Sequence, residues 1–181
     1  MALEVLPTRL DGPLLLAPQV FGDERGFFLE TFREEALAEL GITDRFVQDN
    51  HSRSVRGVVR GLHFQQDTGK LVRCARGTIL DVLVDIRDGS DTFGQWEAFE
   101  LSDRTGRVLW APPGFAHGFA VLSDVADVLY KQTRYWQADA DRAIQLADPA
   151  LGIDWPIPPD ERVLSDRDRS AAPLADVLQR R

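Results

Sequence analysis

Thr78-Ile79-Leu80-Asp81-Val82-Leu83-Val84-Asp85-Ile86-Arg87 is the stretch that decides the fold. Leu80, Val82, Val84 and Ile86 recur with a period of two, while Asp81, Asp85 and Arg87 fall on the opposite side. That alternation, rich in β-branched residues, predicts a strand with one face buried and the other wet. Outward from it, further short strands are expected at 14–20, 26–32, 55–64, 96–101, 107–111, 119–122 and 125–133. Gly22-Asp23, Asp88-Gly89-Ser90, Asp103-Arg104-Thr105-Gly106, Pro112-Pro113-Gly114 and Ser123-Asp124 punctuate them as turns. Many short strands at this spacing predict an all-β antiparallel sandwich or barrel. Helical periodicity is confined to 34–40, ended by Gly41, and to the tail at 173–178. No repeat, low-complexity segment or linker interrupts the chain, so residues 1–181 are expected to form a single domain.

Composition narrows the function classes. The chain has 181 residues, 44% of them hydrophobic and 28% charged, enough for a full core in a globular domain. A formal net charge of -8 argues against nucleic acid as a partner, because phosphate backbones need a basic surface. Cys74 is the single cysteine, so no intrachain disulfide forms. The first residues lack a basic segment followed by an apolar run, and no apolar stretch is long enough for a bilayer. A cytoplasmic protein with no membrane partner is expected.

Chemistry concentrates in Val59-Arg60-Gly61-Leu62-His63-Phe64-Gln65 and the nearby Gly69-Lys70. A guanidinium suits phosphate oxygens, an imidazole moves protons near neutrality, and an ammonium can stabilise an oxyanion. Together they predict a site that grips a phosphorylated small molecule and removes a proton from it. The three histidines, His51, His63 and His117, include no closely spaced pair of the kind that begins a cupin metal site, so no metal is expected. His51 reads as a hydrogen-bonded sheet residue. His117 sits where the Pro112-Pro113-Gly114 turn enters a strand, a position that often carries function. Trp96, Trp110 and Trp136 read as core or interface residues. Arg60 and His63, three residues apart, would point to opposite faces of a regular strand. If both line one pocket, the strand must bulge between them, and Gly61 is the expected place.

The chain resembles the dTDP-4-dehydrorhamnose 3,5-epimerase family over nearly its whole length. The runs that carry the resemblance are 21–30 (Phe-Gly-Asp-Glu-Arg-Gly-Phe-Phe-Leu-Glu), 47–52 (Val-Gln-Asp-Asn-His-Ser), Arg60-Gly61-Leu62-His63 and Gly69-Lys70-Leu71-Val72-Arg73. Further along come Pro113-Gly114-Phe115-Ala116-His117-Gly118-Phe119, Leu129-Tyr130-Lys131 and Leu164-Ser165-Asp166-Arg167-Asp168. The resemblance implies a double-stranded β-helix, the cupin-like jelly roll, with a few short peripheral helices, no cofactor and a homodimer with shared site residues. It implies a dTDP-sugar substrate, dTDP-4-dehydro-6-deoxy-D-glucose, inverted at C3 and C5. In that reading His63 is the base, Asp168 its partner, Lys70 the group that stabilises the enolate and Tyr130 the acid on the other face of the sugar. Arg25, Phe28, Glu30, Gln48, Asn50, Arg60, His117 and Tyr135 correspond to substrate-binding positions, Tyr135 stacking on thymine and the 25–30 segment coming from the partner subunit.

The residues taken alone leave alternatives. Tyr130 also reads as a half-buried strand aromatic, Lys70 as a surface lysine beside a turn, and Asp168 as one member of a solvated charge run. The loop between His63 and Lys70 is shorter than the family's usual one, which bears on the outcome at C3 against C5. A mono-epimerase or ketoisomerase of a dTDP-4-keto-deoxysugar, and a sugar-nucleotide-binding jelly roll without catalysis, are the rival functions.

Overall fold

A computed structural model describes residues 3–178. Thirteen strands run in chain order: β1 (Leu3–Leu6), β2 (Leu14–Pro18), β3 (Val20–Asp23), β4 (Gly26–Leu29), β5 (Gln48–Val55), β6 (Val59–Phe64), β7 (Lys70–Arg76), β8 (Thr78–Asp85), β9 (Trp96–Ser102), β10 (Val108–Ala111), β11 (Phe115–Val121), β12 (Val125–Gln132) and β13 (Arg142–Ala143). The described residues also form three short α-helices, α1 (Glu34–Ala38), α2 (Asp166–Arg169) and α3 (Leu174–Leu178), and a 3-10 turn at Pro159–Glu161. None of the described helices is long and apolar enough to cross a membrane.

The pairing explains the architecture. β8 pairs with β9, β7 with β10, β6 with β11 and β5 with β12, all antiparallel and nested around the β8–β9 connection. This double ribbon is rolled up so that β7 also meets β12 and β8 also meets β11. The outcome is a six-stranded sheet, β1-β2-β10-β7-β12-β5, and a five-stranded sheet, β13-β6-β11-β8-β9. It is the jelly-roll arrangement the sequence led us to expect. The hairpin β3–β4 forms a separate two-stranded sheet.

Three apolar layers hold the roll together. Between the sheets lie Val72, Cys74, Leu109 and Val128 from one side, and Ile79, Leu83, Phe99 and Phe119 from the other. The outer face of the five-stranded sheet, with Leu62, Val82, Val84 and Ala120, is covered by Ile144, Leu151, Trp155 and Leu174 of the C-terminal segment. Leu37, Ile42 and Phe46 cover Leu16, Leu71 and Trp110 on the other sheet.

β8 corrects the opening expectation. It has no wet face, because the C-terminal segment buries its outer side and Asp81 and Asp85 are fully buried on its inner side. Burying a carboxylate is unfavourable by several kcal/mol unless it is hydrogen-bonded. Asp81 has a partner at Oδ2, in His117, but none among the described residues at Oδ1, whereas Asp85 is held by several donors. Asp85 accepts from Arg87, Ser90 Oγ and Thr92 Oγ1 at 2.6–3.0 Å. Burial opposes its charge, but these donors outweigh it and hold its carboxyl well below the ordinary value. A depressed carboxyl pKa contributes stability that is fully present above the unfolded value and lost progressively as pH falls from there through the depressed folded value. We expect the urea midpoint to decline below about pH 4 and to decline less steeply in Asp85→Asn.

Other boundaries also moved. The expected strand at 55–64 starts only at Val59, as β6; Val55 ends β5, and a turn at 56–57 separates the two. β5 reads Gln-Asp-Asn-His-Ser-Arg-Ser-Val, with no apolar alternation, because its partly buried inner face is polar and its outer face is solvated. β7 was likewise not expected. Trp110 is buried and Trp96 partly so, but Trp136 is 53% exposed and is not a core residue.

Candidate active site

Register supplies the irregularity that the Arg60–His63 spacing demands. His63 lies opposite His117, yet Arg60 lies opposite Phe119, so β6 spends one residue more than β11 between the two pairs. This bulge carries Arg60 and His63 to the same face as His117 and Phe119, which point between the sheets. Gly61, at φ 132°, makes it possible; its Cα is so close to β11 that an added Cβ would lie 2.5 Å from Gly118 Cα. The Gly61–Leu62 peptide is cis.

His63 Nε2 and Asp168 Oδ1 are 2.5 Å apart. Asp168 is buried, and its second oxygen accepts from Ser165 Oγ at 2.7 Å. Ser165 caps α2 by accepting from the Asp168 backbone N–H. The charge run at 166–169 is therefore a helical turn that turns one aspartate inward. Burial works against the Asp168 charge, but the bonds from His63 and Ser165 prevail and its carboxyl stays below the ordinary value.

Two more groups enter the same space from the opposite sheet. Lys70 shares the face of Val72 and Cys74, and its Nζ donates to the His63 carbonyl at 3.4 Å. Burial pushes the lysine down to about 8, against the attraction of Asp141 and Asp81 and with the repulsion of Arg167. Tyr130 packs against the inter-sheet core. Burial and the negative charge of Asp141 raise its phenol above the ordinary value, opposed by Arg60, so it is protonated at neutral pH. An imidazole, an ammonium and a phenol thus face one another across the opening between the sheets.

Around them stand further polar groups. Arg60 Nε donates to Ser54 Oγ at 3.0 Å. Gln48 Nε2 donates to Asn50 Oδ1 at 2.9 Å, and Asn50 Nδ2 to Gln132 Oε1 at 3.0 Å, along the inner face of β5 and β12. His117 Nε2 lies 2.9 Å from Asp81 Oδ2. Tyr135 is 67% exposed on the loop after β12. Gln65 fastens that loop, donating to the Tyr135 carbonyl and accepting from the Gln137 N–H. The short segment after His63 is therefore stapled to the loop bearing Tyr135, beside a groove of about 650 Å³ lined by both.

The chain does not bring every expected residue together. Arg25, Phe28 and Glu30 lie on or just after the β3–β4 hairpin, away from His63. Arg25 pairs with Asp23, Glu30 with Arg33, and Phe28 is 69% exposed. His51 is on the outer face of β5, 3.0 Å from Asp127, as a sheet residue should be. Sequence reasoning missed Asp81, Asp141 and Arg167. Asp81 had been put on a wet face; an aspartate amid six strand-forming apolar residues was the available signal. Asp141 and Arg167 sit in polar loops, where nothing marks them.

The sequence profile of the dTDP-4-dehydrorhamnose 3,5-epimerase family matches residues 7–176. The dTDP-4-dehydrorhamnose 3,5-epimerase of Pseudomonas aeruginosa is 52% identical over 175 residues, covering 94% of this chain and 96% of that protein. A dTDP-4-dehydrorhamnose 3-epimerase of Streptomyces niveus is 37% identical, covering 97% and 86%. Among solved structures, the dTDP-6-deoxy-D-glucose-3,5-epimerase of Legionella pneumophila in complex with dTDP-4-keto-L-rhamnose superimposes with a TM-score of 0.93 at 48% identity, covering 96% of this chain and 94% of that one.

Proposed function

The chain belongs to the dTDP-4-dehydrorhamnose 3,5-epimerase family, and from that premise we propose that it inverts C3 and C5 of dTDP-4-dehydro-6-deoxy-D-glucose, giving dTDP-4-dehydro-L-rhamnose for dTDP-L-rhamnose synthesis. The observation that carries the assignment of roles is the convergence of His63–Asp168, Lys70 and Tyr130 on one inter-sheet opening. A C–H beside a ketone is a weak acid. Its removal leaves charge on the C4 oxygen, and inversion requires the proton to return from the other face. His63 takes the proton, and Asp168 orients the imidazole and favours its charged form. Lys70 faces the developing oxyanion, and Tyr130 is the acid on the opposite side. Arg60, Gln48, Asn50, His117 and Tyr135 bind the nucleotide and sugar, so that remote binding energy holds the ring in a reactive pose.

The proposal includes a cytoplasmic homodimer with one epimerase domain per chain. Phe21, Phe27 and Phe28 are exposed on the hairpin, an apolar patch that favours association. β5 is the edge of its sheet and carries Gln48 and Asn50. A partner hairpin on that edge would bring the partner's copy of residues 25–30 to the opening.

The reaction is tested by incubating the protein in D2O with dTDP-4-dehydro-6-deoxy-D-glucose and a reductase that traps the L-rhamnose product. Deuterium at both C3 and C5 is expected; label at one carbon only would establish a mono-epimerase, the activity named for the Streptomyces niveus relative. Tyr130→Phe is expected to lower kcat about 10²-fold with KM within about threefold, since proton delivery is lost and binding is not.

A further inference from the structure

Asp141 belongs to none of the motifs, yet it stands among the groups to which chemistry is assigned. Its Oδ2 accepts from Arg167 Nη1 at 2.7 Å and from Trp136 Nε1 at 2.9 Å, and its side chain is 12% exposed. Arg167 immediately precedes Asp168 in α2. Asp141 lies two residues before Ala143, which faces His63 across the β13–β6 pair. Trp136 immediately follows Tyr135. One carboxylate thus joins three segments that flank the site: the loop after β12, the approach to β13 and α2.

Resting on the roles assigned above to His63, Lys70 and Tyr130, we propose that Asp141 is a positioning residue of the epimerase, clamped by Arg167 and Trp136 so that it ties the loop bearing Tyr135 to the helix bearing Asp168 and sets negative charge beside Lys70 and Tyr130. The clamp explains a half-buried lysine that must remain cationic. Burial disfavours the ammonium and Arg167 repels it, while Asp141 and Asp81 are the carboxylates that support it. Asp141 also discourages ionisation of Tyr130, against the pull of Arg60. Burial opposes the charge of Asp141, but the bonds from Arg167 and Trp136 prevail and hold its carboxyl below the ordinary value. Neutralising Asp141 leaves Asp81, His117, Arg60, Arg167 and Asp168 in place around the opening. Lys70 then deprotonates more readily, and Tyr130 ionises more readily. Both changes draw the basic limb of turnover towards neutrality.

The test is the pH dependence of kcat and KM for the wild-type protein, Asp141→Asn, Asp141→Glu and Trp136→Phe, with thermal melting of each. Asp141→Asn keeps the shape and an acceptor oxygen but removes the charge. Its kcat is expected to fall about tenfold near pH 8.5 and less than about threefold near pH 6.5, with KM within about threefold. Asp141→Glu should restore the basic limb, and Trp136→Phe, which keeps the ring without the N–H, should move it in the same direction by less. A basic limb in Asp141→Asn that superimposes on the wild type overturns the proposal. A uniform loss at every pH with a lowered melting temperature also overturns it, since that is the signature of folding alone. A His63→Ala protein that turns over normally would overturn the underlying roles themselves, a result separate from an unmoved limb.

Discussion

Deuterium exchange at C3 and C5 is expected to fall by about 10³-fold or more when His63 is replaced by alanine, with dTDP-sugar affinity altered by less than about threefold. The magnitude follows from the site's inventory. His117 is occupied by Asp81, Lys70 is a cation near neutrality, and Tyr130 is protonated. None of these is a base ready to replace the imidazole. Affinity is spared because Arg60, Gln48 and Asn50, to which binding is assigned in the proposal, are untouched. Asp168→Asn should fall between the wild type and His63→Ala, since an amide can still hold the ring but cannot support its positive charge. Exchange at the wild-type rate in His63→Ala would remove the histidine from the mechanism.

A change with an equally large effect on folding is Gly61→Ala. The added Cβ would sit 2.5 Å from Gly118 Cα and 3.1 Å from the His117 carbonyl, with backbone on the other side of both contacts. Alanine is also strained at φ 132°. Neither strand can yield easily, because β11 is buried along its whole length between β6 and β8. We expect a loss of about 3–5 kcal/mol in urea unfolding, or no soluble protein at all. A midpoint near that of the wild type would show that β6 and β11 can separate, and that the bulge is not what aligns Arg60 with His63.

The expected strands at 96–101 and 125–133 hold to within a residue or so, because Trp96–Ser102 and Val125–Gln132 have apolar faces set against a core. β5 was invisible for the opposite reason: a strand whose inner face serves a polar opening and whose outer face meets water carries no apolar period. The double burial of β8 depends on a C-terminal segment that begins about sixty residues further along the chain, which local alternation cannot report. For the site, the bulge at Gly61 was legible because the spacing of Arg60 and His63 demanded one. The inward turn of Asp168 was legible only through the resemblance, since four alternating charges look solvated. Asp141 had no motif to mark it; its place follows from a helix and a loop that meet only in the folded chain.

The nested ribbon has a consequence for synthesis. His63 and the carboxylate it needs are 105 residues apart, so at translation rates of about 5–20 residues per second the imidazole waits roughly 5–20 s for its partner to be made. For the first half of that interval, until β11 and β12 are made, β6 lacks β11, Gly61 has no backbone to lie against, and the polar edge of β5 is unpaired. A ribosome-bound fragment ending before α2 is therefore expected to be catalytically silent, however much of the barrel has already closed.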